Sequence, residues 1–297
     1  MTTNEALASH ETTVTADSTA AAFAFVSELA QEVSKGRVEL PSFPDVAVRV
    51  RKVLADEHVS NEQIARVVGS DAGLAGRVFT LANSAALNRS GRAISELKTA
   101  VNRIGHHNVR TAAVSFAIAQ LRRAAELRAI AKELEGLWQD ATLVAALGYA
   151  IATRAKVNAD ESMLAGLLHN VGKIYILARA NRHESLFKDP RAIGQVMRDW
   201  HANVGKAIVE NWGFPEHLCE AISEHENIDR TSGYADVTDI LTVAVMMSGF
   251  MGQEVDFELN MQGVKAFTRL GLDNAKCVHV MKDCAEEIAA LRTALGD

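Results

Sequence analysis

From Met163 to Ala178 the chain reads MLAGLLHNVGKIYILA, and almost every side chain in it is apolar. A helix that is apolar on every face must be buried on every face, so the rest of the chain has to wrap around this one. Three polar side chains interrupt the run: His169, Asn170 and Lys173. A buried imidazole and a buried amide destabilise the fold unless each finds hydrogen-bond partners. The pair therefore serves either a metal ion and a reaction, or a polar knot inside a helical core.

The surrounding sequence supplies helices to do the wrapping. Only 4 prolines and 5% aromatic residues occur in a chain rich in Ala and Leu, and no period-2 strand pattern stands out. Residues 1–18, rich in Thr, Ala and Ser, predict a loose tail. A helix is predicted over 19–33, ending near Lys35-Gly36. Pro44 suits a first helical position with Phe43 as its cap. Ser60 and Gln63 predict a capping box, Asp71 caps the next helix, Ser95 caps a further one, and Gly105 closes that one before an apolar helix over 109–121. An amphipathic helix over 122–137, an Ala/Leu-rich one over 138–153 and the buried helix over 160–178 follow. Further helices are predicted over 190–212, 215–224, 240–250 and 272–295. The fold class is all-α, in two helical lobes, 19–125 and 126–297.

Composition narrows the function. A net charge of -6 and a pI near 5.9 argue against a nucleic-acid backbone as the main partner. The pair of helices over 61–69 and 74–83 has the look of a DNA-binding unit. Its second helix, however, offers only Arg77 and Thr80 to base edges and is otherwise a core helix. Cys219, Cys277 and Cys284, odd in number and widely spaced, fit a reducing cytoplasm better than a disulfide framework. Cys277 and Cys284 read as packing residues on one helix face, and Met246, Met247 and Met251 as core filling. No apolar run is long enough to span a membrane, and no basic-then-apolar start marks a signal peptide.

His169, His201 and His225 each sit in a helix otherwise dominated by apolar residues, and Asp140 is the only charge between Leu137 and Thr153. Divalent-metal hydrolases gather such residues from several helices. Against that, a single interior histidine is commonly a satisfied core residue. Asp140 lies near a predicted helix start, where the dipole alone favours a carboxylate. Arg89 and Arg92, in the loop 88–92, with His106, His107 and Arg110 beyond, could bind an anion or form a solvated basic face.

The order of these segments is similar to the HDOD family, the HD-related output domains of bacterial signalling proteins. Leu40-Pro41-Ser42-Phe43-Pro44, Asp71 to Leu74, Leu81-Ala82-Asn83-Ser84, Ile94-Ser95 and Ala100 to Gly105 resemble its first half. Gly166 to Lys173, His201 to Gly205, Trp212-Gly213-Phe214-Pro215 and Ala221 to His225 resemble the HD-like half. The resemblance implies an all-helical, two-lobed signalling protein. It also implies departures from the metal-dependent HD hydrolases: Asp140 stands where a first His follows a Trp, Asn170 replaces the Asp of the His-Asp pair, and Val245 falls near the final Asp. The expectation is therefore a non-enzymatic regulator acting on a signalling protein partner, with no metal cofactor. Asn83, Arg89, Arg92 and Arg110 are its expected contact residues, and Asp140, His169, Asn170, His201 and His225 form a relic pocket. The alternatives are a metal-dependent phosphohydrolase of nucleotides or cyclic dinucleotides, with a divalent ion held by Asp140, His169, His201 and His225, and a nucleotide-sensing module without turnover.

Overall fold

A computed structural model describes residues 16–38, 45–56, 58–88, 90–250 and 254–296. The greater part of the predicted tail, the Leu40–Pro44 segment with its predicted cap, Arg89 and Met251 lie outside the described residues. Among the described residues there are helices and no strand. In chain order they are α1 (Ala16–Ser34), α2 (Asp45–Val53), α3 (Asn61–Val68), α4 (Ala72–Ala82) and α5 (Leu97–Arg122). After a 3-10 segment (Ala125–Ile130) come α6 (Ala131–Ala155), α7 (Ala159–Leu168), α8 (Val171–Ala180), α9 (Glu184–Phe187) and α10 (Pro190–Asn211). The chain continues with α11 (Glu216–Glu224), α12 (Val237–Gly249), α13 (Glu254–Met261), α14 (Lys265–Leu270), α15 (Asn274–Asp283) and α16 (Ala285–Leu295).

The local signals act as their chemistry requires. Ser60 and Gln63 close a capping box at α3, and the Asp71 side chain accepts from the Leu74 amide at the start of α4. Gly105, at φ 73°, breaks α5 into two helical pieces, a conformation that costs a residue without a Cβ little. Ser95 does not cap α5. The cap position belongs to Glu96, which makes no side-chain cap bond to the backbone and instead accepts from the Thr99 hydroxyl at 2.6 Å. In α4, Leu74, Val78, Leu81 and Ala82 are buried, and Arg77 donates to the carbonyl of Ala294. The helix that resembled a DNA reader is thus packed inward.

The helix predicted over 272–295 is two, α15 and α16, and two further misplaced helix ends bear on function. The predicted helices over 122–137 and 138–153 are one helix from Ala131 to Ala155, so Asp140 lies in mid-helix and not near the start of its own helix. The predicted buried helix over 160–178 is two helices, α7 and α8, and the break falls at His169-Asn170. At the break, Nδ1 of His169 lies 2.6 Å from the carbonyl of Gly166, the acceptor that a continuing helix would offer to the amide of Asn170.

The two helices fit where they do because of two glycines. A Cβ on Gly166 would lie 2.5 Å from Cα of Ala145, and one on Gly172 would lie 2.0 Å from the carbonyl oxygen of His201. Bare backbone therefore lets α7 settle on α6 and α8 on α10. With α12 packed on α6 and α7, and α11 on α10 and α12, these helices enclose the break.

The chain ends cross between the regions. α1 packs on α9 and α10, with Phe25 and Leu29 buried and Glu32 accepting from Tyr175 and Arg179. α16 packs on α4 and α6, and its last turn accepts from Arg77, Ser115 and Trp138 at the carbonyls of Ala294, Leu295 and Gly296. Cys277 lies on α15, Cys284 lies at the junction of α15 and α16, and both are buried. No helix among the described residues is long and apolar enough to cross a membrane.

Candidate functional site

The break between α7 and α8 is the centre of a cluster of polar side chains drawn from the break itself and from four further helices. His169 and Asn170 come from the break, Asp140 from α6, His201 from α10, His225 from the end of α11, and Ser248 from α12. Asp140, His169, Asn170, His201 and His225, singled out in the sequence, are all brought together. His169, His201 and His225 are 1–2% exposed and Asn170 is wholly buried, whereas Asp140 and Glu226 stay partly open to water. The imidazoles stack edge to face in a row, with centroids 5.8 Å apart from His169 to His225 and again from His225 to His201.

One pattern recurs in all three rings. Nδ1 of His169 lies 2.6 Å from Gly166 O, Nδ1 of His201 lies 2.7 Å from Met197 O, and Nδ1 of His225 lies 2.9 Å from Ile222 O. A carbonyl only accepts, so each Nδ1 carries the proton that it donates. In the neutral ring Nε2 is then a bare lone pair. The Nε2 atoms of His201 and His225 are sealed from solvent; that of His225 has no hydrogen-bond partner, and that of His201 faces Glu226 Oε1.

The two ends of the row differ. At one end Asp140 is well satisfied: Oδ2 accepts from the Asn170 amide at 2.8 Å and lies 3.2 Å from His169 Nε2, while Oδ1 accepts from Ser248 at 3.1 Å. Burial alone would raise the Asp140 carboxyl, but these partners outweigh it and hold the group well below its ordinary value. At the other end Glu226 Oε1 is 3.2 Å from His201 Nε2 and 3.9 Å from His225 Nε2. The proximity of His201, opposed by burial, keeps the Glu226 carboxyl at about 2, so it is ionised. Burial, reinforced by the neighbouring His169, pushes the His225 imidazole down to about 3, so it is neutral.

A depressed Asp140 stabilises the folded state above the ordinary carboxyl value, 3.8, and that contribution is lost as the pH falls below it. Asp140→Asn should therefore lower the urea midpoint at pH 7 and flatten its fall between roughly pH 4 and pH 2. An unchanged pH profile would show that the carboxylate carries no such linkage.

The sequence reading missed two of these residues. Glu226 directly follows His225, and Ser248 stands one turn beyond Val245 on α12, so both were adjacent to positions that had been singled out. Val245 itself offers no ligand atom. Of the other predicted contact residues, Asn83, Arg92 and Arg110 are among those described. Asn83 pairs with both backbone groups of Ile94, at 2.7 and 3.0 Å, and so fastens the loop after α4. Arg110 stacks on Phe214 at 5.5 Å and donates to Leu54 O. Arg92 is exposed.

A family model described as "HDOD domain" matches residues 40–228, more than half of the chain. The chain belongs to the HDOD family. The HDOD match leaves α1 and α12–α16 outside its bounds. Solved structures share the HDOD chain's fold. One is a protein from Shewanella amazonensis, provisionally named a metal-dependent phosphohydrolase: it is 22% identical, covers 93% of this chain and 99% of its own, and has a TM-score of 0.77. Another is an HDOD domain protein of unknown function from Geobacter sulfurreducens: it is 25% identical, covers 91% and 97%, and has a TM-score of 0.62. A third, from Marinobacter aquaeolei and provisionally named a signal transduction protein, is 18% identical, covers 94% and 66%, and has a TM-score of 0.59. An uncharacterised relative from Treponema pallidum is 24% identical over 258 residues, which make up 82% of this chain. The HDOD chain spans about half of that relative, 49% of its length.

A divalent metal of the kind implied by the wider HD superfamily can be tested against the residues present. Around Asp140 and His169 it fits poorly. Asn170 presents N–H groups there, to Asp140 and, at 3.4 Å, to the carbonyl of Leu137. Turning the amide over would set its oxygen against two acceptors. Around His201 and His225 the donor set fits, since two imidazole nitrogens and one carboxylate oxygen face one another.

Proposed function

We propose that this HDOD chain is a non-enzymatic signal-transduction module, cytoplasmic in a bacterial cell, that acts through contacts with a protein partner. One observation carries the reading: Asn170 turns an N–H, not an oxygen, toward Asp140, so the carboxylate that would polarise a metal-bound water is occupied by hydrogen-bond donors. The sealing of the imidazole nitrogens of His201 and His225 supports it, because a hydrolase needs a coordination position that substrate can reach. The name of the Marinobacter protein agrees with the signalling role. The exposed Arg92, beside Arg103 in an open groove at the start of α5, is a proposed contact for the partner.

The convergence of three imidazoles and two carboxylates favours a second reading, a metal-dependent phosphohydrolase of nucleotides or cyclic dinucleotides. Purified protein incubated with these substrates and Mn2+, Mg2+ or Fe2+ separates the two. The expected result is turnover no faster than in a His169→Ala control. Hydrolysis that His169→Ala abolishes would overturn the non-enzymatic reading.

A further inference from the structure

We propose that a cleft between the end of α6 and the α14–α15 turn binds a small organic anion, a carboxylate on an apolar body of about nine non-hydrogen atoms in all. The cleft shares no residue with the histidine row. Its apolar lining is Ile151, Ala155, Leu270, Leu272 and Val280, of which Ile151 and Val280 are buried. Gly271 shapes one wall. At φ 64° it ends α14 and lets the amide of Leu272 reach back to Phe267 O at 2.9 Å. The half-buried Leu270 and Leu272 flank that glycine, and both line the cleft.

Size and lining define the body of the ligand. The cleft encloses about 220 Å3. An apolar cavity of roughly 150 Å3 stays dry and takes up benzene. On that scale this cleft holds a benzene ring with a carboxylate attached, or an aliphatic acid of about six carbons. Water gains little against such walls, because an ordered water needs several polar partners and these side chains offer only carbon.

The polar lining defines the charge. Arg154, Lys276 and His279 border the cleft. Two of them are already answered. Lys276 donates to Gly271 O at 2.6 Å and lies 3.8 Å from Asp273, and His279 lies 2.8 Å from Asp283. Each nearby carboxylate is thereby matched to a basic side chain. Arg154 is different: it is exposed, donates to Ala150 O of its own helix at 3.0 Å, and forms no ion pair among the described residues. Its other N–H groups suit a carboxylate, which a guanidinium can grip with two parallel bonds. The uncompensated charge therefore selects an anion over a neutral molecule of the same shape. A ligand so placed ties α6, the helix that carries Asp140, to α14 and α15, which lie beyond the family match. That gives the module a small-molecule input, and it holds whether or not the protein is an enzyme.

The test titrates the full chain with benzoate and with hexanoate, followed by calorimetry and by the amide NMR spectrum. Saturable binding of one of them at a single site is expected, with shifts centred on Gly271 and the end of α6. The matched neutral amides, benzamide and hexanamide, should bind at least about tenfold more weakly, because a hydrogen bond to a charged group is worth at least that factor. Arg154→Gln, at an exposed position, should weaken the acid by a similar factor and leave the amide unaffected. Ala155→Leu fills the cleft from the α6 side and should abolish binding, with thermal melting as the check that it folds. If it does not fold, Arg154→Gln still decides. No saturable binding of either acid by the wild type, or shifts centred elsewhere, would overturn the proposal. So would equal affinity for acid and amide, full affinity in Arg154→Gln, or full affinity in a folded Ala155→Leu. None of these readouts depends on phosphohydrolase activity, so the proposal and the non-enzymatic reading fail separately.

Discussion

Gly172→Ala should destabilise the protein by about 3 kcal/mol or more, the upper end of what overpacking costs. The added methyl would stand 2.0 Å from the carbonyl oxygen of His201 and 2.8 Å from the amide nitrogen of Gly205. Both are backbone atoms of α10, so no side chain can swing aside, and α8 must lift off α10 as a body. Gly76 is the matched control. It lies exposed in α4 with nothing within 4 Å of its Cβ position, so Gly76→Ala should gain roughly 0.5–1 kcal/mol from helix propensity. Urea unfolding followed by circular dichroism measures both. A Gly172→Ala midpoint equal to that of the wild type would mean that the two helices do not meet as closely as described.

Asn170→Asp should cost about 3–5 kcal/mol at neutral pH, the range for an uncompensated buried charge. Asn170 is wholly buried and its amide lies 2.8 Å from Oδ2 of Asp140. The substitution replaces an N–H···O bond with two carboxylates at contact distance, which cannot both ionise without a cation between them. The penalty should shrink as the pH is lowered toward 5, because one carboxyl then takes up a proton whose affinity the repulsion has raised. Unfolding titrations at both pH values check the sign as well as the size. Wild-type stability at pH 7 in metal-free buffer would show that the pocket is open enough to hydrate both charges.

Much of the fold was legible because its signals are local. The Ser60–Gln63 box, the Asp71 cap and the Gly105 break each depend on a few adjacent residues, and each does what its chemistry dictates. The apolar run over 163–178 correctly announced a buried element. Its period could not reveal that the run would divide at His169-Asn170. The error at Asp140 has the opposite origin: nothing local stops a helix at Leu137, and α6 runs through. For the site, polar residues stranded in apolar helices were a sound guide, since Asp140, His169, Asn170, His201 and His225 do converge. Glu226 escaped because it is partly exposed and follows a histidine already noted, and Ser248 because a hydroxyl in a helix usually bonds its own backbone. Ser248 does that too, toward Val245 O, while also reaching Asp140.

The anchoring of α16 also orders events in time. Arg77, Ser115 and Trp138 all donate to carbonyls between Ala294 and Gly296, so groups from α4, α5 and α6 find these acceptors only once α16 exists. During synthesis the earlier helices can form and collapse, but they must wait with an open seam until α16 has been made. These pairings span 217, 180 and 158 positions of the chain, and closures of such length are slow relative to the forming of the helices themselves. For that interval the nascent protein exposes the apolar surface that α16 later covers, and it is then that a chaperone would have most to protect.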